Sequence, residues 1–398
     1  MANSLKTTLR FDEDVFCVSA HPSQPVIATG LSNGRVYAHR YLSDPAGKDD
    51  GSDSDDSDDS DADSDADEDE DAPCSATVQW STRRHKQSCR TVEFDMDGDY
   101  LYTAGLDQVI KKAATESGKV VAKNSRLDEV PTASCSTPNF YLVGTEDSSL
   151  IAFDPRTMKE THRVPDLHDD FVSSISALPP TSQGNYYSFI TTGSTTLARI
   201  DLRRPDKVVS VSDDQEDEIL CSCIPPFVPA AGTGATAGLT AVLGMASGVL
   251  TYWNKSNWED QQARALLSAE SVDCIAPIDE DRLVAGSADG RVAVVGVRTR
   301  RVERELVHGG ADGVVAVAAD YADRVISAGG PVVKVWARPA AAEAGDEDSD
   351  ADSDDSDDSD EGDRKRRKNR KRGKAGKKRQ RAMKQQLKQT AASFADLD

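Results

Sequence analysis

The chain is predicted to be all-β, a seven-bladed β-propeller with a disordered acidic insertion and an acidic, then basic, C-terminal tail. Three observations lead there. First, RLVAGSADGRVAVVGV (282–297) alternates apolar and polar residues, turns at Asp289-Gly290 and alternates again, which marks a β-hairpin. Second, relatives of this hairpin recur as VIATGLSNGRVYAHRY, LYTAGLDQVIKKA, YLVGTEDSSLIAFD, FITTGSTTLARID, AVLGMASGVLTYW and VISAGGPVVKVW. Third, the glycine that closes the first strand of each hairpin falls at Gly30, Gly105, Gly144, Gly193, Gly244, Gly286 and Gly329, and the last five steps are 39, 49, 51, 42 and 43 residues. A period of about 40–45 residues with four strands apiece is that of a propeller blade. One such sheet leaves both faces bare, whereas seven packed radially cover one another and close.

Taken in order, LKTTLRF (5–11) is a lone strand, and the last blade has only three strands before its pattern ends after Pro339. The first is therefore expected to be the outer strand of the last blade, which removes a free sheet edge. VFCVSAHP begins blade one, whose outer strand (76–82) is displaced by an acidic run. Inner strands of blades two to six are expected at 90–94, 131–136, 171–178, 219–224 and 272–278, and outer strands at 119–124, 160–164, 207–212, 264–267 and 301–306. Blade seven closes with 313–319, 324–328 and 332–336. The loop 225–238 has glycines but lacks the Gly-Lys-Ser/Thr ending of a phosphate cradle, so it reads as a plain loop. The propeller thus spans 1–339 with 43–75 as a disordered loop; an acidic disordered segment (340–363) and a basic tail (364–398) ending in FADLD follow.

The net charge of −22 is local. Fifteen acids lie at 49–71, 13 at 343–363, and 15 bases at 364–388; without these runs and Asp396 and Asp398, 32 bases face 39 acids. The runs are too polar to offset the entropy of ordering, and the remainder is an ordinary soluble domain. No apolar leader or membrane-spanning run is present, so an intracellular protein with no membrane partner is expected. The seven cysteines contain no CxxC pair. Six lie in or beside inner strands, and Cys221 and Cys223 share a strand face, which suits reduced, packed thiols.

WD repeats carry Gly-His before the inner strand, a turn aspartate, and Trp-Asp ending the third strand. The chain resembles that family in worn form: His85, His168 and His308 stand at the histidine place, Asp107, Asp147 and Asp289 at the turn, and Trp336-Ala337, Trp253-Asn254, Phe153-Asp154 and Ile200-Asp201 at the third-strand end. In that family the His, the turn Asp, a strand Ser/Thr and the Trp form a hydrogen-bond chain, and here no blade has all four partners. Further segments, TRRHKQSCRTVEFDMDGDYLYTAGLDQVIKKA, DLHDDFVSSISALPP, TTGSTTLARIDLRRPD, SDDQEDEIL, GVLTYWNKSNWEDQ, VVKVWARP and FADLD, together with the Asp/Ser tract and the basic end, resemble the fungal Jip-five family, counterparts of animal WD-repeat-containing protein fifty-five. The insertion at 49–71 departs from it. The resemblance implies a WD40-type propeller in the nucleus and nucleolus, a scaffold in ribosome biogenesis or rRNA synthesis and processing, with preribosomal or nucleolar proteins as partners.

No nucleophile, base and orienter occur together, and no metal spacing or phosphate loop is present, so no enzyme activity and no cofactor are expected. The tail clusters Arg364, Lys365, Arg366, Arg367, Lys368, Arg370, Lys371 and Arg372, then Lys374, Lys377, Lys378, Arg379 and Arg381. Lacking aromatics, they suit an import receptor or RNA phosphates rather than base reading. Among the tract serines, Ser52, Ser60, Ser64, Ser349 and Ser353 are candidates for an acid-directed kinase, each phosphate adding about −1.5 to −2 charges. Protein docking is expected at Arg83, Arg84, His85, Lys86, His168, Asp169 and Asp170, and through Phe394 and Leu397 of FADLD. Asp154-Pro155-Arg156 and Asp201-Leu202-Arg203 resemble the adaptor-docking Trp-Asp-x-Arg element of cullin-type ligase receptors, without the Trp; histone binding is a third reading. The protein is expected to act as a monomer.

Overall fold

In a computed structural model, the described residues are 5–41, 76–125, 127–204, 206–226, 240–254, 257–309 and 313–339. They form seven four-stranded antiparallel sheets. The chain opens with β1 (Leu5–Arg10). Blade one is β2 (Val15–Ala20), β3 (Val26–Leu31), β4 (Arg35–Tyr41) and β5 (Ala76–Arg83). Blade two is β6 (Cys89–Phe94), β7 (Tyr100–Gly105), β8 (Ile110–Ala114) and β9 (Val120–Asn124). Blade three is β10 (Pro131–Ser136), β11 (Tyr141–Thr145), β12 (Leu150–Phe153) and β13 (Glu160–Val164); blade four is β14 (Ser174–Ala177), β15 (Ser188–Gly193), β16 (Thr196–Asp201) and β17 (Val208–Val211). Blade five is β18 (Ile219–Cys223), β19 (Thr240–Met245), β20 (Val249–Asn254) and β21 (Ala263–Leu266), and blade six is β22 (Val272–Pro277), β23 (Arg282–Ser287), β24 (Arg291–Gly296) and β25 (Val302–Val307). Blade seven is β26 (Ala316–Ala319), β27 (Val325–Gly329) and β28 (Val332–Trp336), and β1 pairs antiparallel with β28 as its fourth strand. Each inner strand touches the inner strand of the next blade, and β26 touches β2, so the ring is closed around a central channel.

The core sits between blades. Seven apolar clusters occupy the seven junctions, for example Val26, Ala28, Val36 and Ala38 of blade one against Cys89, Val92, Phe94 and Leu101 of blade two. Polar clasps stitch the inner strands together. The Cys17 thiol donates to Cys89 O (3.6 Å), Thr132 Oγ1 to Val172 O (2.6 Å), Ser173 Oγ to Ile219 O (2.7 Å), and the Cys221 and Cys274 thiols to Val272 O and Val314 O (3.4 Å each). All six described cysteines are unpaired thiols, while Cys74 lies outside the described residues.

The glycines that set the repeat occupy two registers. Gly30, Gly144, Gly244 and Gly286 pair with Cys17, Ala133, Cys221 and Cys274, and at each a Cβ would meet a side chain of the next blade at 2.6–2.8 Å. Gly105, Gly193 and Gly329 lie one strand position later, where a Cβ would meet the rings of His85, His168 and His308. Neither set adopts a left-handed φ, so space alone demands glycine. The turn glycine Gly290 does have φ +80°, as its hairpin requires.

Strand ends match expectation at 131–136, 160–164 and 332–336 and elsewhere differ by up to three residues. The largest differences are β14, which begins at Ser174 rather than 171, and β26, which begins at Ala316 rather than 313, because the Val172 N–H donates across to Thr145 O of blade three (3.2 Å) and the Val314 N–H to Ser287 O of blade six (3.0 Å). The loop expected at 225–238 lies, from 227 onward, outside the described residues.

Candidate functional site

Connections from each outer strand to the next inner strand, with the turns between second and third strands, form one face of the ring, here called upper. The lower face carries the other two turns of each blade.

On the upper face, the run 83–86 splits in two. Arg83 and Lys86 are exposed, but Arg84 and His85 are only 2% exposed, and this removes both from the expected docking surface. Arg84 turns inward, lies 5.0 Å over the Trp80 ring and donates to Gly118 O (2.9 Å). His85 bonds Asp107 Oδ1 through Nδ1 and Thr103 Oγ1 through Nε2, both at 2.9 Å. Burial pulls His85 below its ordinary value despite Asp107. Against its own burial, Asp107 is held low by the Lys86 N–H and by the His85 ring.

His168 is clasped likewise, Nδ1 to Thr196 (2.7 Å) and Nε2 to Thr191 (3.0 Å), and burial lowers it to about 4. Its neighbours Asp169 and Asp170 remain exposed. In blade seven, Ser327 Oγ joins His308 Nδ1 and Trp336 Nε1, both at 2.8 Å. Blades two and seven thus each hold three of the four members of the WD hydrogen-bond chain. Two threonines serve His168 where an aspartate is missing, and all three histidines are spent on the fold.

The two adaptor-like elements lie at third-strand ends on the lower face. Asp154 caps its own turn, accepting from the Arg156 N–H (2.8 Å) and Thr157 Oγ1 (2.9 Å), and leaves the Arg156 side chain 85% exposed. Arg203 is instead tied to Asp201 by two bonds of 2.9 and 2.5 Å and lies 5.4 Å over the Tyr187 ring. Arg156 meets its aspartate only at 3.8 Å, whereas Arg203 is clasped by its own.

A junction that sequence reasoning missed joins blades one and seven. Tyr41 Oη donates to Asp320 Oδ2 (2.5 Å), Arg324 Nε donates to the same oxygen (2.7 Å), and the Arg324 guanidinium lies 4.9 Å over the Tyr41 ring. Its signal was an aromatic ending a third strand just before the acidic run. Tyr41 and Pro339, whose carbonyl accepts from Arg282 Nη1 (3.1 Å), both lie on the lower face. The described chain stops there before 42–75 and 340–398.

All the tail bases from Arg364 to Arg381, the serines Ser52, Ser60, Ser64, Ser349 and Ser353, and Phe394 and Leu397 lie outside the described residues. Among the described residues no group of three His, Cys, Asp or Glu is placed to hold a metal ion, and no helix is long and apolar enough to cross a membrane.

No protein-family profile matches the chain. It is, however, 35% identical over 389 residues to WD repeat-containing protein jip5 of Aspergillus terreus, covering 87% of this chain and 88% of that one. It is 34% identical over 368 residues to the jip5 protein of Emericella nidulans (85% and 86% covered) and 34% over 378 residues to that of Coccidioides immitis (87% and 84%). With a closed ring of seven blades and the histidine chains of blades two and seven, the chain belongs to the jip5 family of WD repeat-containing proteins.

Proposed function

We propose that the protein is a non-enzymatic scaffold of the nucleolus, serving ribosome biogenesis or rRNA synthesis and processing. Its propeller docks preribosomal or nucleolar proteins, and its basic tail meets RNA phosphates and an import receptor. The observation that supports this most is the fate of the titratable side chains. The histidines a catalyst would use are locked into the hydrogen-bond chains of blades two, four and seven, while upper-face acids such as Asp169 and Asp170 stand open for partners. The tail supplies a phosphate-binding polycation without aromatics.

The exposed Arg156 keeps the ligase-receptor reading as a rival. Affinity purification from nuclei, with and without ribonuclease, separates the two. The scaffold predicts preribosomal proteins and RNA, unchanged by Arg156→Ala and Arg203→Ala. Recovery of a ligase adaptor that those substitutions release would replace it.

A further inference from the structure

On the reading of the propeller as a protein-docking scaffold, we propose a binding site at the upper mouth of the central channel. It takes an extended Lys/Arg-rich segment of a partner protein, one apolar side chain seated among Phe16, Phe171 and Val315, its cations on the surrounding acidic loops.

A repeated irregularity shapes the mouth in every blade but four and seven. In five blades the inner strand bulges at the same place: between Val15 and Cys17, Cys89 and Thr91, Pro131 and Ala133, Ile219 and Cys221, and Val272 and Cys274. A bulge leaves one residue outside the ladder and re-aims its side chain. Phe16, the bulged residue of blade one, is 38% exposed beside Val15 at 1%. Val315, next to fully buried Val314, is 43% exposed, and Phe171, before fully buried Val172, is 39% exposed. Among the described residues these are the only exposed phenylalanines, and both stand where an inner strand starts at the upper face.

Charge selects the occupant. The connections leading into blades one, three, four, five and six carry Asp12 to Asp14, Asp128 and Glu129, Asp169 and Asp170, the acids of SDDQEDE (212–218), and Glu270, with no described lysine or arginine among them. Only Asp128 and Glu216 of these acids form ion pairs among the described residues, with Arg163 (3.8 Å) and Arg264 (3.3 Å). Such a rim repels nucleic acid and attracts a cationic chain. Arg90, 5.8 Å from the Phe16 ring, disfavours a cation on that side and assigns it to the apolar side chain.

The test uses the full-length chain and two fluorescein-labelled peptides of lysines and arginines, one with a central Leu and one with Ser in its place. The Leu peptide should bind about tenfold more tightly, the scale of one well-seated anchor. Phe16→Ser and Phe171→Ser should each abolish that preference, and Asp169→Asn with Asp170→Asn should weaken both peptides. Equal binding of the two peptides, or a preference that survives both Phe substitutions, overturns the site and assigns the cations to the acidic runs at 49–71 and 343–363. The nuclear purification judges the scaffold reading separately. Partners recovered with wild-type and Phe-substituted chains alike leave the scaffold standing without this site, whereas recovery of no partner overturns the scaffold itself.

Discussion

At Gly286, a Cβ would lie 2.6 Å from Val314 Cγ1 and 2.7 Å from Cys274 Sγ, so the residue is a gap through which blade seven reaches blade six. Gly286→Ala should therefore cost about 1–3 kcal/mol by overpacking, measured by urea unfolding; a cost near zero would mean that the junction yields. Glu93 is a second sensitive residue. Burial among the inner strands raises its carboxyl from 4.5 to about 7, although the Ser136 N–H (2.8 Å) and Ser134 Oγ (3.0 Å) both donate to it. A carboxyl raised on folding contributes stability at acid pH, and that contribution is lost as pH rises from 4.5 through about 7. Glu93→Gln should accordingly raise the Tm at pH 8 and change it little at pH 4; a loss at pH 8 would show that the charged form is welcome. The sequence revealed the glycine beat but not its two registers. The shift depends on which neighbour, a histidine ring or the next blade, fills the space, and only assembled blades show that.

At the scale of elements, ring closure rests on β1 and on the Tyr41–Asp320–Arg324 contact. Strand β1 covers the edge of β28, with Leu9 opposite Val333 and Arg10 opposite Val332. Deleting residues 1–12 should lower the Tm sharply, because it bares that edge and strips Leu5 and Leu9 from their clusters. An unchanged melt would mean that closure does not depend on the strand. Tyr41→Phe leaves Asp320 with one hydroxyl donor fewer in its buried site, Arg324 remaining, and should cost about 1–2 kcal/mol, read by denaturant titration. The hairpins were legible because alternation and turn residues are local. The bulges and the outward set of Phe16 were not, because a bulge appears in sequence as one residue out of step, indistinguishable from a strand end.

On the scale of the whole molecule, the chain separates its charges. The connections on the upper face into blades one, three, four, five and six carry acids and no described lysine or arginine, while the polycation belongs to 364–388. Buried neutral histidines add a pH limit. Burial lowers His39 and His168 to about 4, so their contribution is full above the ordinary 6.5 and is lost as pH falls from there toward 4. In the Glu93→Gln chain, which lacks that carboxyl's opposing effect, the Tm should decline across that interval, and a flat profile would contradict their burial. Blade number and the kind of fold were readable from the period, and His85 stood at the family's histidine place; the burial of Arg84 was not readable, since it differs from Arg83 only in the direction the folded loop gives it. The central claim is a division of labour, with proteins on the propeller and RNA on the tail. It is tested most directly by purifying, from nuclei, a chain whose bases from Arg364 to Arg381 are replaced by glutamine, supplied with an independent nuclear import signal. The account predicts that RNA is lost while the nuclease-resistant protein partners are retained. Retained RNA, or partners lost along with it, would contradict it.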